Sequence, residues 1–452
     1  LLDKDKNEEN IKKLLSRLDA MQLDSGAFPW FSGGRENLLI SQHILAGFGH
    51  LETLKAIDIE NSSAHNIVNT LIMYLDKMYQ NESKKRTEYE KLHYLYSRSF
   101  FPTHRKSAIK KFADDFIEAH QKDWATFSFA EKLLFSLTAH RFGEKKLAKE
   151  IIEGLEQNAV IETDKGMFWK ENISNYQWQN SAIENQALAV EAFREIFDDQ
   201  KKTNRLKQWL IHSKRKSAWP TTKSTTEAIY ALMLSGESWT TSNTKPSIEL
   251  GDYKIEITEE EQQSRRIKKV FSVEEINSEM ANIKIENKSD SPQFGGLFWQ
   301  YLDDLDQVKS SKNDYLEVKK QMFLVKQTSE KEDLIPLQNQ SLAIGDLIKV
   351  QLTIKAKEDF NFVHLKDLRA STFEPTDVIS AYKFEDGLRF YQSTKDASTN
   401  FFIDNLPRGT YIIEYDLRVN QNGDFTGGHS TLQSMYAPEF SARTESNRIS
   451  VD

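Results

Sequence analysis

The sequence predicts a multidomain α + β chain: an α/α toroid, that is a ring of helical hairpins, followed by two β-sandwich domains. Three observations lead there. The apolar period is helical from about Asn7 to Gly236 and becomes two beyond it. The helical half repeats one unit, an aromatic loop followed by a capping residue and a helix. The polar stretch Ser238–Pro246 separates the halves. The expected domains are residues 1–238, 239–320 and 321–452, the 452 residues suiting two to four domains of roughly 100–200 each.

The helices come first. In Ala182–Phe193, residues Ile183, Ala187, Val190 and Phe193 fall on one face, and Ile196 and Phe197 extend it. Ile40, Ile44, Phe48 and Leu51 make a similar stripe, as do Phe129, Leu133 and Leu137. Each stripe follows a loop rich in aromatics: Phe28-Pro29-Trp30-Phe31, Trp124–Ser128, Phe168-Trp169 through Trp178 to Ser181, and Trp219-Pro220 through Thr226. The repeat of roughly 45–55 residues, or a multiple of it, is the length of one helical hairpin with its loops. Small residues at Ala182, Ala187, Ala189, Ala228 and Ala231 let neighbouring helices approach closely.

The second half alternates. Ile348, Val350, Leu352 and Ile354 form one strand face, and Tyr411, Ile413, Tyr415, Leu417 and Val419 another. Further strands are expected at Tyr253–Ile257, Asn282–Glu286 and Gly296–Tyr301, with a boundary near Gln321.

Composition narrows the function. A 38% hydrophobic share supports real cores, and 28% charged residues of both signs mark a globular rather than a disordered chain. A net charge of −8 argues against nucleic acid as partner, since phosphate binding needs a basic face. With no cysteine, a disulfide framework, a thiolate zinc site, a thiol nucleophile and an internal thioester are all excluded. No apolar run approaches the roughly 20 residues that span a bilayer. The opening Leu1-Leu2-Asp3 is neither an initiator Met nor a signal peptide, so any targeting segment or membrane anchor is expected upstream.

The apparent chemical motifs dissolve on inspection. Asp303-Asp304-Leu305-Asp306 follows a strand-like segment and reads as a solvated turn, without the second set of ligands a metal needs. The ten histidines include no HExxH, and His43 and His50 lie two turns apart, too far to share a metal. Glu184 and Glu191 share a helix, and Glu184 reads as a capping or ion-pairing acid. Gly427-Gly428-His429-Ser430 reads as a hairpin turn, not a nucleophile elbow. Neither a catalytic residue, nor a cofactor, nor a metal is expected. Phe28, Trp30, Phe31, Trp169, Trp178 and Trp219 remain as candidate partner contacts on the rim, although the burial preference of aromatics favours loop anchors that plug the ring.

Several stretches resemble the bacterial alpha-2-macroglobulin family, especially its Bacteroidetes form. Gly26–Gly34 with Ile40–Leu45 is similar to the family's GGFxWFxGG…ITQYIL, and Trp299–Asp306 to its WQYFEDLD. Asp367–Pro375 through Tyr436–Phe440, with Gly423-Asp424-Phe425 between them, resembles the terminal receptor-binding-like domain. The resemblance implies a thioester-type toroid whose Cys-x-Glu-Gln lies upstream of Leu1, then an intermediate β-domain and a terminal macroglobulin-like domain. It further implies a protease-trapping role in the cell envelope, with target proteases and the other domains of a longer protein as partners. Two other readings stand beside it. One is an envelope adhesin or scaffold acting through the β-domains, and the other is a lyase or hydrolase built on the toroid.

Overall fold

The computed structural model describes residues 4–103, 106–173, 181–234, 245–264, 266–288, 295–300, 302, 304–327, 332–338 and 340–452. Trp178, most of the linker 238–246, Tyr301, Asp303 and part of the charged run 329–332 lie outside them. The chain divides into two compact units, Leu1–Ile211 with Trp219–Gln293, and His212–Ala218 with Phe294–Asp452. The result is a mixed architecture of helices and several sheets.

The first unit is built mainly on helices: α1 Lys4–Asp19, α2 Leu38–Thr53, α3 Ala64–Glu82, α4 Glu88–Ser99, α5 Lys106–His120, α6 Phe129–Phe142, α7 Lys145–Glu156, α8 Ala182–Ala192, α9 Gln200–Lys216, whose last residues from His212 fall in the second unit, α10 Thr222–Met233 and the short α11 Glu259–Ser264. Capping sets several starts. Thr87 and Ser128 each form a capping box with the glutamate three residues on, Glu90 and Glu131. The side chains of Asn37 and Thr221 accept from the amides of Ile40 and Ser224. Ser181 precedes α8 without a capping bond, its hydroxyl lying 3.1 Å from that of Ser224 instead.

Even-numbered helices pack side by side, α2 on α4, α4 on α6, α6 on α8 and α8 on α10. Ala187, Ala189, Ala192, Ala228 and Ala231 are all buried in the shared core. At Gly49 of α2 there is no room for a side chain, since a Cβ would stand 2.3 Å from the ring of Phe100, the residue that ends α4. Gly49→Ala is therefore expected to cost about 1–3 kcal/mol by overpacking, despite alanine's better helix propensity. Urea unfolding of the two forms checks this. Lys207, wholly buried, donates 2.9 Å to the Leu232 carbonyl at the end of α10, and burial, then Arg194, brings its pKa down to about 7.

Two short pairings complete this unit: β1 Val160–Glu162 with β2 Gly166–Phe168, and a sheet of β3 Ser247–Leu250, β4 Tyr253–Lys254 and β5 Ile283–Glu286. Ile283 and Ile285, alternating with Lys284 and Glu286, are exposed. The expected strand Gly296–Tyr301 is not one: residues 296–300 carry no strand pairing, and Leu297, Phe298 and Trp299 are exposed. Alternation supplies a strand's side-chain pattern, but a strand also needs a partner for its backbone.

The second unit holds two antiparallel sheets over one apolar core. One runs β10 (Phe373–Pro375), β14 (Gly409–Val419), β8 (Leu347–Ala356), β6 (Leu316–Gln327) and β7 (Glu332–Pro336). The other runs β11 (Ala381–Glu385), β12 (Leu388–Lys395), β13 (Ser398–Leu406), β9 (Phe360–Leu368), β16 (Ser430–Ser434) and β17 (Ser441–Arg443). A separate pair joins β15 (Gly423–Thr426) to β18 (Arg448–Val451). The alternating runs are strands as expected: Ile348, Val350, Leu352 and Ile354 of β8 and Ile413, Tyr415, Leu417 and Val419 of β14 all point into the core. β6 pairs with β8 without a break from Leu316 to Val325, so it runs straight through residues 320–321. Gly427–Ser430 connects strands of different sheets rather than turning a hairpin.

β14 pairs with β8 almost throughout but with β10 only at Leu417–Val419. On its otherwise open side the amides of Ile412 and Glu414 donate to Asp386 (2.9 Å) and Glu385 (3.3 Å), carboxylates at the β11–β12 turn.

Candidate functional site

The described residues place no nucleophile, base and orienting group together in a cleft. No group of three or more His, Cys, Asp or Glu among them is placed to hold a metal ion. Asp306 pairs with Arg448 at 3.3 Å. What the helical unit does assemble is a buried chain of ionisable side chains on α2, α4, α6, α8 and α10. Buried polar groups require partners, so the chain can be followed bond by bond.

His50 of α2 has its Nε2 2.7 Å from the Tyr96 hydroxyl, and its ring stacks on Tyr230 with centroids 3.7 Å apart. The Tyr96 hydroxyl donates to Glu191 Oε2 at 2.6 Å, and Tyr230 donates to Glu191 Oε1 at 2.9 Å. Arg141 completes the shell of Glu191 with an Nη2 bond of 2.7 Å, binds Glu195 through Nε and Nη2 at 2.9 and 2.7 Å, and donates to Ser99 at 3.0 Å. Its guanidinium lies 4.2 Å from the Phe100 ring centroid. On the other side of His50, Glu227 places Oε2 3.7 Å from His50 Nδ1 and Oε1 3.6 Å from His43 Nδ1. Alongside, Lys223 and Ser224 donate to Glu184 at 2.6 and 2.9 Å, and Gln42 meets His93 at 3.0 Å. The chain runs from His43, 23% exposed, to Glu195, 30% exposed, through groups that are largely sealed.

Burial dominates the electrostatics. It brings His43 down to about 3, helped by Lys223 and His50, and His50 to about 3, helped by Arg141. His93 is lowered well below its ordinary value by burial, then by Lys223 and the other two histidines. Burial pushes Glu227 up to about 8, Lys223 opposing while Glu191 and Glu184 add to the rise.

The signs predict an acid-labile unit. A histidine with a depressed folded pKa contributes stability that is complete above its ordinary 6.5 and is lost as pH falls toward 3. Glu227 has the opposite sign, complete below its ordinary 4.5 and fading as pH rises to about 8, so it offsets one of three histidines near pH 5–6. Between pH 6 and 5 the helical unit is expected to lose about 2–3 kcal/mol, at 1.4 per proton and pH unit. Chemical denaturation at the two pH values, repeated with His50→Gln, measures the loss and the share that His50 carries.

The six aromatics singled out in the sequence do not converge. Phe28 and Trp169 are buried in the core, Trp169 donating 2.7 Å to the Leu155 carbonyl and packing on Phe129 and Phe193. Trp219 is half-buried against the same core. Trp30 and Phe31, at 54% and 66% exposure, tip the loop closed by the Pro29–Glu36 bridge. Trp178 lies outside the described residues. Glu184 forms the ion pair expected of it, but Arg141, Tyr96, Tyr230 and Glu227 carried no sequence signal of their own. A faint one existed in α8, where Glu184 and Glu191 interrupt an alanine-rich run.

Comparison with known proteins is most specific in the second unit, where residues 316–439 match the family described as the bacterial alpha-2-macroglobulin MG10 domain. Among solved structures the chain is similar to trypsin-activated alpha-2-macroglobulin from Escherichia coli, at 16% identity and TM-score 0.44, covering 97% of this chain and 29% of that one. The Salmonella protein reacted with methylamine gives 15% identity and TM-score 0.38, covering 96% and 27%. A curated relative, circularly permutated Ras protein 2 of Dictyostelium discoideum, is 24% identical over 111 residues, which is 25% of this chain and 3% of that protein. The chain thus spans under a third of each of these proteins.

Proposed function

Because the chain belongs to the bacterial alpha-2-macroglobulin family through its MG10 domain, residues 316–439, we propose that it serves as the structural block of a protease trap in the cell envelope. In this reading it inhibits endopeptidases by enclosing them and performs no chemistry itself. The observation that carries the reading is the MG10 match.

The domain order belongs to the same proposal: a thioester-type α/α toroid over residues 1–238, an intermediate β-domain that begins near residue 239, and a terminal macroglobulin-like sandwich that takes in β6 from Leu316. Side-by-side packing of α2, α4, α6, α8 and α10, with Glu227 of α10 facing His43 and His50 of α2, supports the toroid. Exposed Ile283 and Ile285 suit closure of the intermediate domain against other domains of the longer protein. Trp30 and Phe31 are the partner contacts to test first.

The test uses the full-length protein mixed with broad-specificity proteases, reading residual activity on a large protein substrate and on a small peptide. Steric trapping predicts loss on the large substrate alone, with one discrete cleavage of the inhibitor. Activity retained on both, with the protein untouched or degraded at random, removes the trap reading and leaves the scaffold. In the same assay Trp30→Ala with Phe31→Ala is expected to shift the unfolding midpoint by under about 0.5 kcal/mol, as exposed positions do, while weakening inhibition.

A further inference from the structure

We propose that Glu227 keeps a proton at neutral pH and, set between His50 and His43, forms a proton-dependent clasp that holds α10 against α2. The Tyr96 hydroxyl has one proton, and its 2.6 Å bond to Glu191 Oε2 uses it. The 2.7 Å contact with His50 must then be donated by His50 Nε2–H. In the neutral ring this leaves Nδ1 as a lone pair, and that lone pair faces Glu227 Oε2 at 3.7 Å. An ionised Glu227 would oppose an acceptor to an anion inside a buried site. A proton on Glu227 turns the same contact into an attraction.

The surrounding charges agree. On α10 itself Lys223 is the nearby cation, and it is already bonded to Glu184 at 2.6 Å. α8 presents Glu184 and Glu191, both repelling a second carboxylate, and α6 contributes Arg141, which is committed to Glu191 and Glu195. α4 adds Tyr89, His93 and Tyr96, and α2 adds His43 and His50. Burial and the two glutamates raise Glu227 to about 8. Direct α2–α10 packing rests on side chains, Glu227 between the two histidines and Tyr230 stacked on His50. Loss of the proton therefore loosens the meeting of these helices.

Between pH 6.5 and 8 the three histidines shed their last protons in the unfolded chain and Lys207 sheds its own in the fold, and both add stability as pH rises, so the share of Glu227 is read as a difference from a variant that lacks its proton. A raised folded pKa means that Glu227's own contribution falls as pH rises through that window, up to tenfold in the folding equilibrium constant per pH unit. Urea unfolding of the whole chain and of Glu227→Gln, which keeps a neutral side chain, at pH 6.5, 7, 7.5 and 8 should give this fall as the difference between the two, the wild type losing stability relative to the variant as pH rises. An unchanged slope in the variant overturns the proposal. Should the variant not fold, ¹⁵N-labelled wild type gives an independent reading. His50 is expected as the neutral Nε2–H tautomer at pH 7, whereas an imidazolium, with the proton on His50 and Glu227 ionised, overturns it equally. Infrared spectra of chain labelled with ¹³C at glutamate carboxyls should show a protonated carboxyl band at pH 7 that fades near pH 8, and its absence at pH 7 would refute the clasp.

Discussion

Arg141→Met is expected to destabilise the helical unit by about 3–5 kcal/mol, the cost of leaving a buried charge without its partner. Glu191 would keep the hydroxyls of Tyr96 and Tyr230 but lose its only bonded cation among the described residues. Methionine would preserve much of the contact with Phe100, so the loss reports the charge more than the packing. Arg141→Met combined with Glu191→Gln should recover part of it, because the uncompensated carboxylate is gone. Urea midpoints of the single and double variants measure the coupling. A fully additive double variant would mean that Arg141 acts by packing alone.

The corresponding substitution in the β-sheet unit is Asp367→Ala, with an expected loss also of about 3–5 kcal/mol. Asp367 is wholly buried on β9 and accepts from Lys320 Nζ at 2.8 Å, from Ser430 at 2.7 Å and from the Tyr415 hydroxyl. It therefore joins β6, β14 and β16 at one point. Removing it leaves the Lys320 ammonium with only the Leu368 carbonyl at 2.7 Å among its bonds in the described residues. Lys320→Met with Asp367→Leu should be far milder, since it removes both charges together. Thermal unfolding of the MG10 domain transition distinguishes the two.

These centres mark the limit of what the sequence discloses. Period was sufficient for α2, α6, α8 and α10 and for β8 and β14, with side-chain caps adding to it at α2, α6 and α10, because those signals are local. The stripe Ile40, Ile44, Phe48 and Leu51 was only partly right. Leu51 is exposed, while Ser41, Gln42, Gly49 and His50 are buried, since α2 has neighbours on more than its apolar side. The polar chain was hidden for a related reason. Its members are spread from position 43 to position 230, each is unremarkable beside its sequence neighbours, and only folding brings them together. The expected strand Gly296–Tyr301 failed in the opposite sense, since its described residues, 296–300, pair with no strand among the described residues. Among the aromatics, composition could say that most would be buried but not that Trp30 and Phe31 would face outward.

The two carboxylates at the β11–β12 turn have a bearing on how the molecule behaves in company. An uncovered strand flank is a template on which another chain can grow a sheet. Asp386 and Glu385 occupy the amides of β14 that a newcomer would need, and they meet an approaching backbone carbonyl with negative charge. For a protein whose proposed work is to surround cut and partly unfolded polypeptide, this means that its own sandwich offers such debris little to adhere to along that flank.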